Sequence, residues 1–275
     1  MKISEYPKAA NLSDDDCFII DGQYGTRTMP INSLATSLID RIGQGINHAS
    51  LFRGQNLGTA FTSSQKAAIT NGTFSDIWLG DFWVIAGVTW RVADFDYWFN
   101  SGDTPTTKHH IVLLPDTGLY TGQMNTTAIV TGGYAGSAMH MSGLSIAKSR
   151  VASAFPGYVL NHRENLSETV DNGLAVGDNW YDSTVEIPNE YQMYGHSQMQ
   201  SMPNGPVIPG HRSNSHNQLA LLRLAPQYLS LPAQTYWLRD IPNNGSFCCV
   251  AGSGAANAIA SNTVAYVRPV VGIGA

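Results

Sequence analysis

Short apolar runs bounded by turn residues recur along the chain and predict strands more often than helices. Residues 82–86 and 89–95 flank Gly87 and predict a hairpin, and residues 111–114 predict a buried strand that ends at Pro115. Four further segments have the same strand-like pattern, and the last two are expected to close the sheet: 219–224, 235–238, 247–250 and 264–271.

Helical spacing is concentrated in the middle of the chain. Residues 62–71 predict a helix with Thr62 or Ser63 as its cap, and a second helix is predicted over residues 183–194, with Pro188 in its first turn or at a kink. Residues 134–155 are also helical in pattern, with these core candidates: Met139, Leu144, Ile146, Val151 and Phe155. Helices in the middle and strands near both ends favour an α+β fold over a doubly wound parallel sheet.

Residues 1–45 look like a separate N-terminal unit, and residues 46–275 like the main domain. The unit contains predicted strands at 17–20 and 26–29, followed by a predicted helix after Pro30. Its hydrophobic set is too small to fold stably alone, so we expect it to pack against copies of itself or a partner. An ordinary hairpin packed on its own domain is the alternative. The candidate attachment residues are Ile3, Tyr6, Phe18, Ile20, Leu34 and Leu38.

Composition narrows the classes of function. Only 13% of the 275 residues are charged and the formal net charge is −5, without the clustered Lys and Arg that phosphate binding needs, so we expect no nucleic-acid partner. We see neither a signal-peptide pattern nor a long apolar run, and we expect no membrane insertion. Cys17, Cys248 and Cys249 are too few for a disulfide framework, and the adjacent pair is expected to alternate between two faces of a strand.

Several carboxylate groupings are candidates for chemistry. Asp94, Asp96 and Asp103 lie close in sequence to His109 and His110, but without the spacing of a calcium loop, so we predict turn and cap carboxylates and no metal. A glycan hydrolase would need paired carboxylates, and the two attractive pairs are Asp94 with Asp96 and Glu186 with Glu190.

Nucleophilic chemistry has weaker support in the sequence. Gly252-Ser253-Gly254 lacks the flanks of a nucleophile elbow and is interpreted as a flexible loop. The neighbouring Arg163 and Glu164 are interpreted as a structural ion pair. We therefore predict no catalytic residue and no cofactor, which makes a non-enzymatic protein the preferred hypothesis.

The segment from Trp237 to Tyr266 is the predicted binding surface. Asn, Ser and Gly supply adaptable hydrogen bonds, and aromatic residues supply rigid contact area, as in antibody paratopes. Trp237 and Arg268 are expected to be buried scaffold. An ordinary surface connection or a contact between subunits is the alternative. The predicted contact residues are Asn243, Asn244, Phe247, Asn257, Ile259, Asn262 and Tyr266.

Several short blocks of the sequence resemble a known family of proteins. Trp237-Leu-Arg, the small-residue segment after it and the terminal Val267-Arg-Pro resemble the C-terminal half of the C-type-lectin-like domains of tailed-phage structural proteins. Five earlier blocks resemble the same proteins: Leu51-Phe-Arg-Gly-Gln-Asn-Leu57, Gly80-Asp-Phe-Trp83, Trp90-Arg-Val-Ala-Asp-Phe-Asp-Tyr97, Tyr181-Asp-Ser-Thr184 and Tyr194-Gly195. Glu186-Ile-Pro-Asn189 departs from the calcium-binding motif of true C-type lectins, which argues against calcium-mediated sugar binding.

The resemblance implies a virion structural protein, a head or tail fibre or decoration subunit with a C-type-lectin-like domain after a hairpin-plus-helix attachment module. It implies a homo-oligomer, with a trimer as the common number, and other virion proteins as partners through the N-terminal segment. The expected location is the virion surface after synthesis in the host cytoplasm. The expected ligand is a host cell-surface glycan or protein, and a purely structural cement protein is the alternative.

Overall fold

The computed structural model describes residues 17–22, 25–30, 48–199, 213 and 216–274. The chain divides into two compact units, Met1–Asn47 and His48–Ala275. In the first unit, β1 (Cys17–Gly22) and β2 (Gly25–Pro30) pair as an antiparallel hairpin. This hairpin confirms the two predicted strands.

Most of the N-terminal prediction lies outside the described residues. This applies to Ile3, Tyr6, Leu34 and Leu38, to the predicted helix after Pro30, and to the side chains of Phe18 and Ile20. Both of the last two residues belong to β1, so only their backbone positions are described.

The second unit is a mixed α+β structure, mostly sheet with few helices, which agrees with the predicted fold class. Its first sheet has the order β3-β4-β5-β14-β9, and all its pairs are antiparallel. The strands of this sheet are β3 (Phe82–Ile85), β4 (Val88–Phe95), β5 (His110–Pro115), β9 (Val185–Glu186) and β14 (Val270–Gly274). The β3–β4 hairpin and the fully buried β5 confirm those three predicted strands.

The second five-stranded sheet has the order β12-β11-β10-β13-β6. Its only parallel pair among the described strands joins β10 to β13, with Tyr236 opposite Tyr266. The strands are β6 (Tyr120–Gly122), β10 (Tyr236–Trp237), β11 (Ser246–Val250), β12 (Ala256–Ala260) and β13 (Ala265–Val267). The predicted closing strand over 264–271 is therefore two strands in two different sheets.

Four α-helices of the described chain lie between or beside the strands. The first, α1 (Ser63–Thr70), begins at a capping box in which Thr62 accepts from the Gln65 backbone N–H, so Thr62, one of the two predicted caps, is the cap. The others are α2 (Ser145–Ala154), α3 (Glu190–Tyr194) and α4 (Ala220–Leu224), and a π-helix (Met139–Gly143) precedes α2. No helix within the described ranges combines the length and apolar character needed to span a bilayer.

Two predicted elements are wrong in type. Of the helix predicted over 183–194 only α3 forms. The strand β8 (Leu174–Ser183) continues to Ser183, β9 follows it, and Pro188 precedes the helix cap Asn189. The strand predicted over 219–224 is the helix α4. A continuous apolar run such as Leu219 to Leu222 is buried in either conformation, so periodicity does not distinguish them.

The longest hairpin in the structure was not predicted. Strands β7 (His162–Asp171) and β8 (Leu174–Ser183) pair antiparallel, joined by Asn172 and Gly173 at φ of 50° and 79°. Asn-Gly with two positive φ values is the preferred two-residue hairpin turn. That dipeptide was the available signal in the sequence.

Two hydrophobic cores lie on opposite faces of β11. Cys248 belongs to the first core, which lies against the first sheet, and Cys249 belongs to the second core with Trp237 and Phe247. The predicted alternation of the two cysteines is confirmed. Ile146, predicted as a core residue, is 48% exposed, whereas the other core candidates of that helical region are buried.

Candidate functional site

The predicted binding segment is anchored as expected at both ends. Trp237 is fully buried, and its indole N–H donates to the Gly122 carbonyl at 2.8 Å. Arg268 is also fully buried, and it donates to the carbonyls of Pro115 at 2.9 Å and Tyr228 at 2.8 Å. Both residues are scaffold, as the sequence predicted.

The seven predicted contact residues do not form one exposed set. Asn243, Asn244, Asn257 and Asn262 are exposed, whereas Ile259 and Tyr266 are half-buried against the second and first cores. The prediction that Phe247 is exposed is wrong, because β11 lies between the two cores and buries both its faces. The surface offered by the segment is therefore uncharged, and it combines four asparagines with these exposed neighbours: Ser253, Ala255, Thr263 and Val264.

The segment Gly252-Ser253-Gly254, predicted as a flexible loop, forms a hydrogen-bonded turn. The Ala251 N–H donates to Ala255 O and the Gly254 N–H donates to Ala251 O, each at 2.8 Å. The Ser230 hydroxyl donates to Gly252 O at 2.6 Å, and the Tyr194 hydroxyl donates to Gly254 O at 3.1 Å. These bonds join the tip of the β11–β12 hairpin to Ser230 and to Tyr194 of α3.

Strand β12 forms one edge of its sheet. Two bonds at the ends of the hairpin, Ser261 N–H to Gly245 O and Ala251 N–H to Ala255 O, show which residues form the hydrogen-bonded pairs of this antiparallel ladder. By that pattern Asn257 and Ile259 direct their backbone N–H and C=O groups toward β11. The exposed Asn257 also accepts from the Ala258 N–H through its own side chain at 2.8 Å. The edge strand is thus uncharged and locally capped.

The carboxylate pairs considered for glycan hydrolysis are bound to the protein itself. Glu186 is buried and accepts from the hydroxyls of Tyr134 at 2.6 Å and Ser183 at 2.8 Å. Glu190 is also buried and accepts from the backbone N–H groups of Gln198 and Met199. Neither carboxylate is open to a substrate.

The first aspartate pair is equally occupied. Asp94 accepts from the backbone N–H groups of Phe95 and Ala220, and burial raises its pKa to about 6. Asp96 accepts from the ring of His109 at 2.8 Å and from the His110 N–H at 2.9 Å. Both residues serve as local structural acceptors.

The remaining member of the acidic group points elsewhere. Asp103 forms a two-pronged ion pair with Arg163 at 2.6 and 2.9 Å. In the ranges that the structure describes, no three His, Cys, Asp or Glu side chains are grouped to hold a metal ion.

Arg163 and Glu164 do not pair with each other, which corrects the sequence interpretation. Successive residues of β7 face opposite sides, so Arg163 reaches Asp103 while Glu164 points into the interior. There Glu164 accepts from the Trp98 indole N–H and from Arg239, each at 2.9 Å. Burial raises the pKa of Glu164, but the charge of Arg239 and the nearby His162 ring, 3.5 Å from the carboxylate, outweigh it and bring the pKa to about 2.

Beside this buried ion pair lies a polar cavity of about 80 Å³. It is bounded by the β7–β8 hairpin, the beginning of α3 and the two residues after Leu238. Its lining is Asn165, Ser167, Ala175, Gly177, Asp178, Asn189, Tyr191, His216, Arg239 and Asp240. Arg239 ends the Trp237-Leu-Arg block and Asp240 follows it, but neither residue is among the predicted contact residues.

Electrostatics in the cavity are governed by burial. Asp240 accepts from the Glu190 backbone N–H at 2.7 Å, and burial together with the nearby Glu190 charge raises its pKa to about 7. Burial also raises the pKa of Asp178 and lowers the pKa of His216. Each shift favours the neutral form of the group, so the cavity suits neutral hydrogen bonding.

No protein-family model, no curated protein and no solved structure matches this chain.

Proposed function

We propose that this chain is a tailed-phage virion subunit that displays a C-type-lectin-like domain for adhesion to the host cell surface. In this proposal residues 46–275 form the displayed domain, and residues 1–45 attach it to the virion and to copies of itself as a trimer. The subunit is made in the host cytoplasm and carried on the virion surface. Adhesion is direct contact, with no catalytic step and no cofactor.

The observation that carries the proposal is the rigid presentation of uncharged amides between Trp237 and Tyr266. Asn243, Asn244, Asn257 and Asn262 are exposed, while the strands beneath them are fixed by two cores and a bonded turn. A pre-organised surface loses little conformational entropy when it binds. That property favours recognition over a merely connecting role.

The charge of this surface supports the same proposal. From residue 241 to residue 267 the sequence contains no Asp, Glu, Lys or Arg. Contact through neutral hydrogen bonds depends weakly on ionic strength, because salt screens charges and not amide dipoles. Adsorption through this surface is therefore expected to change little between low and physiological salt.

Two matched substitutions test the surface. Asn257 and Asn179 are both exposed strand residues whose side chains accept from the next backbone N–H at 2.8 Å. Particles carrying Asn257→Lys are expected to adsorb to host cells at least about tenfold more slowly, the effect of about 1.4 kcal/mol of lost contact. Particles carrying Asn179→Lys are expected to adsorb like the parent.

Location and attachment need a separate measurement. Purified virions are probed with antibody against this chain and imaged by electron microscopy, and deletion of residues 1–45 is expected to remove the subunit from the particles. Absence of the chain from parental virions would refute the proposal. Normal adsorption by Asn257→Lys particles, together with loss of particle stability on deletion of the gene, would instead identify a cement protein.

A further inference from the structure

The polar cavity beside Arg239 is built from side chains that are themselves buried. Arg239 is 5% exposed, Asp240 8% and Asn189 7%, yet all three line the same space. Buried polar groups are normally satisfied by protein partners, since an unsatisfied one costs free energy. The hydrogen bonds that Arg239 and Asp240 leave unused therefore bear on what the cavity holds.

Arg239 has donors to spare. A guanidinium carries five N–H groups, and the side chain of Arg239 donates only to Glu164 at 2.9 Å and to the Ile187 carbonyl at 3.5 Å among the described residues. The backbone of Arg239 is also held in place, because its N–H donates to Pro188 O at 3.0 Å. The other N–H groups of the guanidinium have no such acceptor in the described part of the chain, and the side chain that carries them lines the cavity.

Acceptors line the same cavity. The carboxylate of Asp240 uses one oxygen to accept from the Glu190 N–H, and Asp178 contributes a second carboxylate from β8. The hairpin is irregular at this point, with a register shift between Ser167 and Thr169. Such bulges redirect side chains next to functional sites.

The charges of the lining exclude most ionic ligands. The charge of Arg239 is already balanced by Glu164, so an anionic ligand would find no free cation in the cavity. A cationic ligand would be placed beside the Arg239 guanidinium, and burial shifts its two candidate partners, Asp178 and Asp240, toward their neutral forms. A neutral ligand that both donates and accepts carries neither cost.

We propose that this cavity binds the hydroxyl-bearing edge of a neutral sugar, whose oxygens accept from Arg239 and whose hydroxyls donate to Asp178 and Asp240. Tyr191 and His216, whose rings lie 5.2 Å apart, supply the aromatic border against which the ring carbons pack. The biological meaning of the site rests on the proposed adhesion role, while the binding itself is a property of the cavity. The cavity volume of about 80 Å³ suits one edge of a single sugar unit.

The test uses the full chain and two matched variants on one hairpin. Glucose, galactose, mannose and N-acetylglucosamine are titrated by ligand-observed NMR, with glucuronate and glucosamine as anionic and cationic counterparts. Asp178→Ala is expected to weaken binding of the preferred neutral sugar at least about tenfold, a change of about 1.4 kcal/mol. Asp171→Ala, at the exposed end of β7 outside the lining, is expected to bind like the parent.

A second measurement guards against misfolding of Asp178→Ala. In the unaltered protein, the side-chain N–H resonances of Arg239 are expected to shift on addition of the sugar that binds. Binding of no neutral sugar, preference for a charged counterpart, or equal binding by Asp178→Ala would each overturn the proposal. If Asn257→Lys particles lose adsorption but the protein binds no sugar, only the sugar-binding inference is refuted. If the protein binds a sugar but is absent from virions, only the virion role is refuted.

Discussion

Glu164 holds the only counter-charge in direct contact with the buried guanidinium of Arg239 among the described residues. Glu164→Gln keeps the shape of the side chain but leaves Arg239 as an uncompensated buried charge. We expect the free energy of unfolding to fall by about 3 kcal/mol or more, because breaking one half of a buried pair costs that much. Urea denaturation followed by circular dichroism measures the change.

Glu168 offers the matched control. It lies on the same strand and is exposed, so Glu168→Gln should change the free energy of unfolding by less than about 0.5 kcal/mol. Equal stability of the two variants would show that the pair of Glu164 and Arg239 contributes nothing. The difference between the two variants in the free energy of unfolding measures the effect of the buried charge, because both variants lose one carboxylate.

Asp240 makes the stability depend on pH in the opposite sense to a salt-bridged acid. Its folded-state pKa is raised to about 7 from an ordinary 3.8, so the folded protein binds the proton more tightly than the unfolded chain. This contribution to stability is present below pH 4 and is lost as the pH rises toward 7. Asp240→Asn removes the titration and should gain stability relative to the parent across this window.

Unfolding measured at pH 4, 5, 6 and 7 on both proteins checks the sign. His110, whose pKa burial lowers to about 4 from 6.5, acts in the other direction over part of the same range, so only the difference between parent and variant is diagnostic. A difference that stays constant with pH would contradict the raised pKa of Asp240.

At the scale of elements, the β7–β8 hairpin depends on its turn and on what the turn touches. A Cβ on Gly173 would lie 2.2 Å from the backbone nitrogen of Asn244, whereas a Cβ on Gly157 would meet nothing within 4 Å. Both glycines have positive φ, 79° and 76°. Gly173→Ala and Gly157→Ala therefore share the backbone strain and differ in the contact.

We expect Gly157→Ala to lower the free energy of unfolding by about 1 kcal/mol from the left-handed conformation alone. Gly173→Ala should lower it by clearly more, and amide exchange should accelerate along β7 and β8. Thermal melts and hydrogen exchange measure both effects. Equal melting temperatures for the two variants would show that the hairpin tip can move away from Asn244 without loss of stability.

The elements that could be predicted share a strong local signal. The capping box at Thr62 and the turn at Gly87 mark boundaries that the structure confirms. The strand predicted from Leu219 to Leu224 was wrong because an apolar run fits a strand and a helix equally. Tertiary packing on the first core decides which of the two forms. The Asn172-Gly173 turn carried a readable signal that was overlooked.

At the scale of the whole molecule, β11 joins the two cores of the second unit. Leu113→Ala in the first core and Ile187→Ala in the second should each lower the free energy of unfolding by about 2–5 kcal/mol. Because one strand contributes to both cores, both variants should shift the same single transition. Near- and far-ultraviolet circular dichroism that diverge in either variant would show independent cores.

An exposed substitution provides the reference for this comparison. Val176 is 43% exposed on β8, so Val176→Ala should leave the transition within about 0.5 kcal/mol of the parent.

The candidate site was predictable only in part. The scaffold role of Trp237 and Arg268 followed from residue type, since a large aromatic and a guanidinium near strand ends are usually buried and bonded. The cavity did not follow, because Asp178, Tyr191 and Arg239 are far apart in sequence and meet only through the strand pairing. The burial of Phe247 depends on a second core that no local pattern reveals.

The two adjacent cysteines of β11 give the molecule an internal reporter. Both thiols are buried, and burial raises their pKa values, that of Cys249 to about 11. A thiol with little thiolate and no access reacts slowly with alkylating reagents. Once Cys17 is replaced by serine, the rate of thiol labelling would measure how often β11 becomes exposed to solvent, with no added dye and no engineered tag.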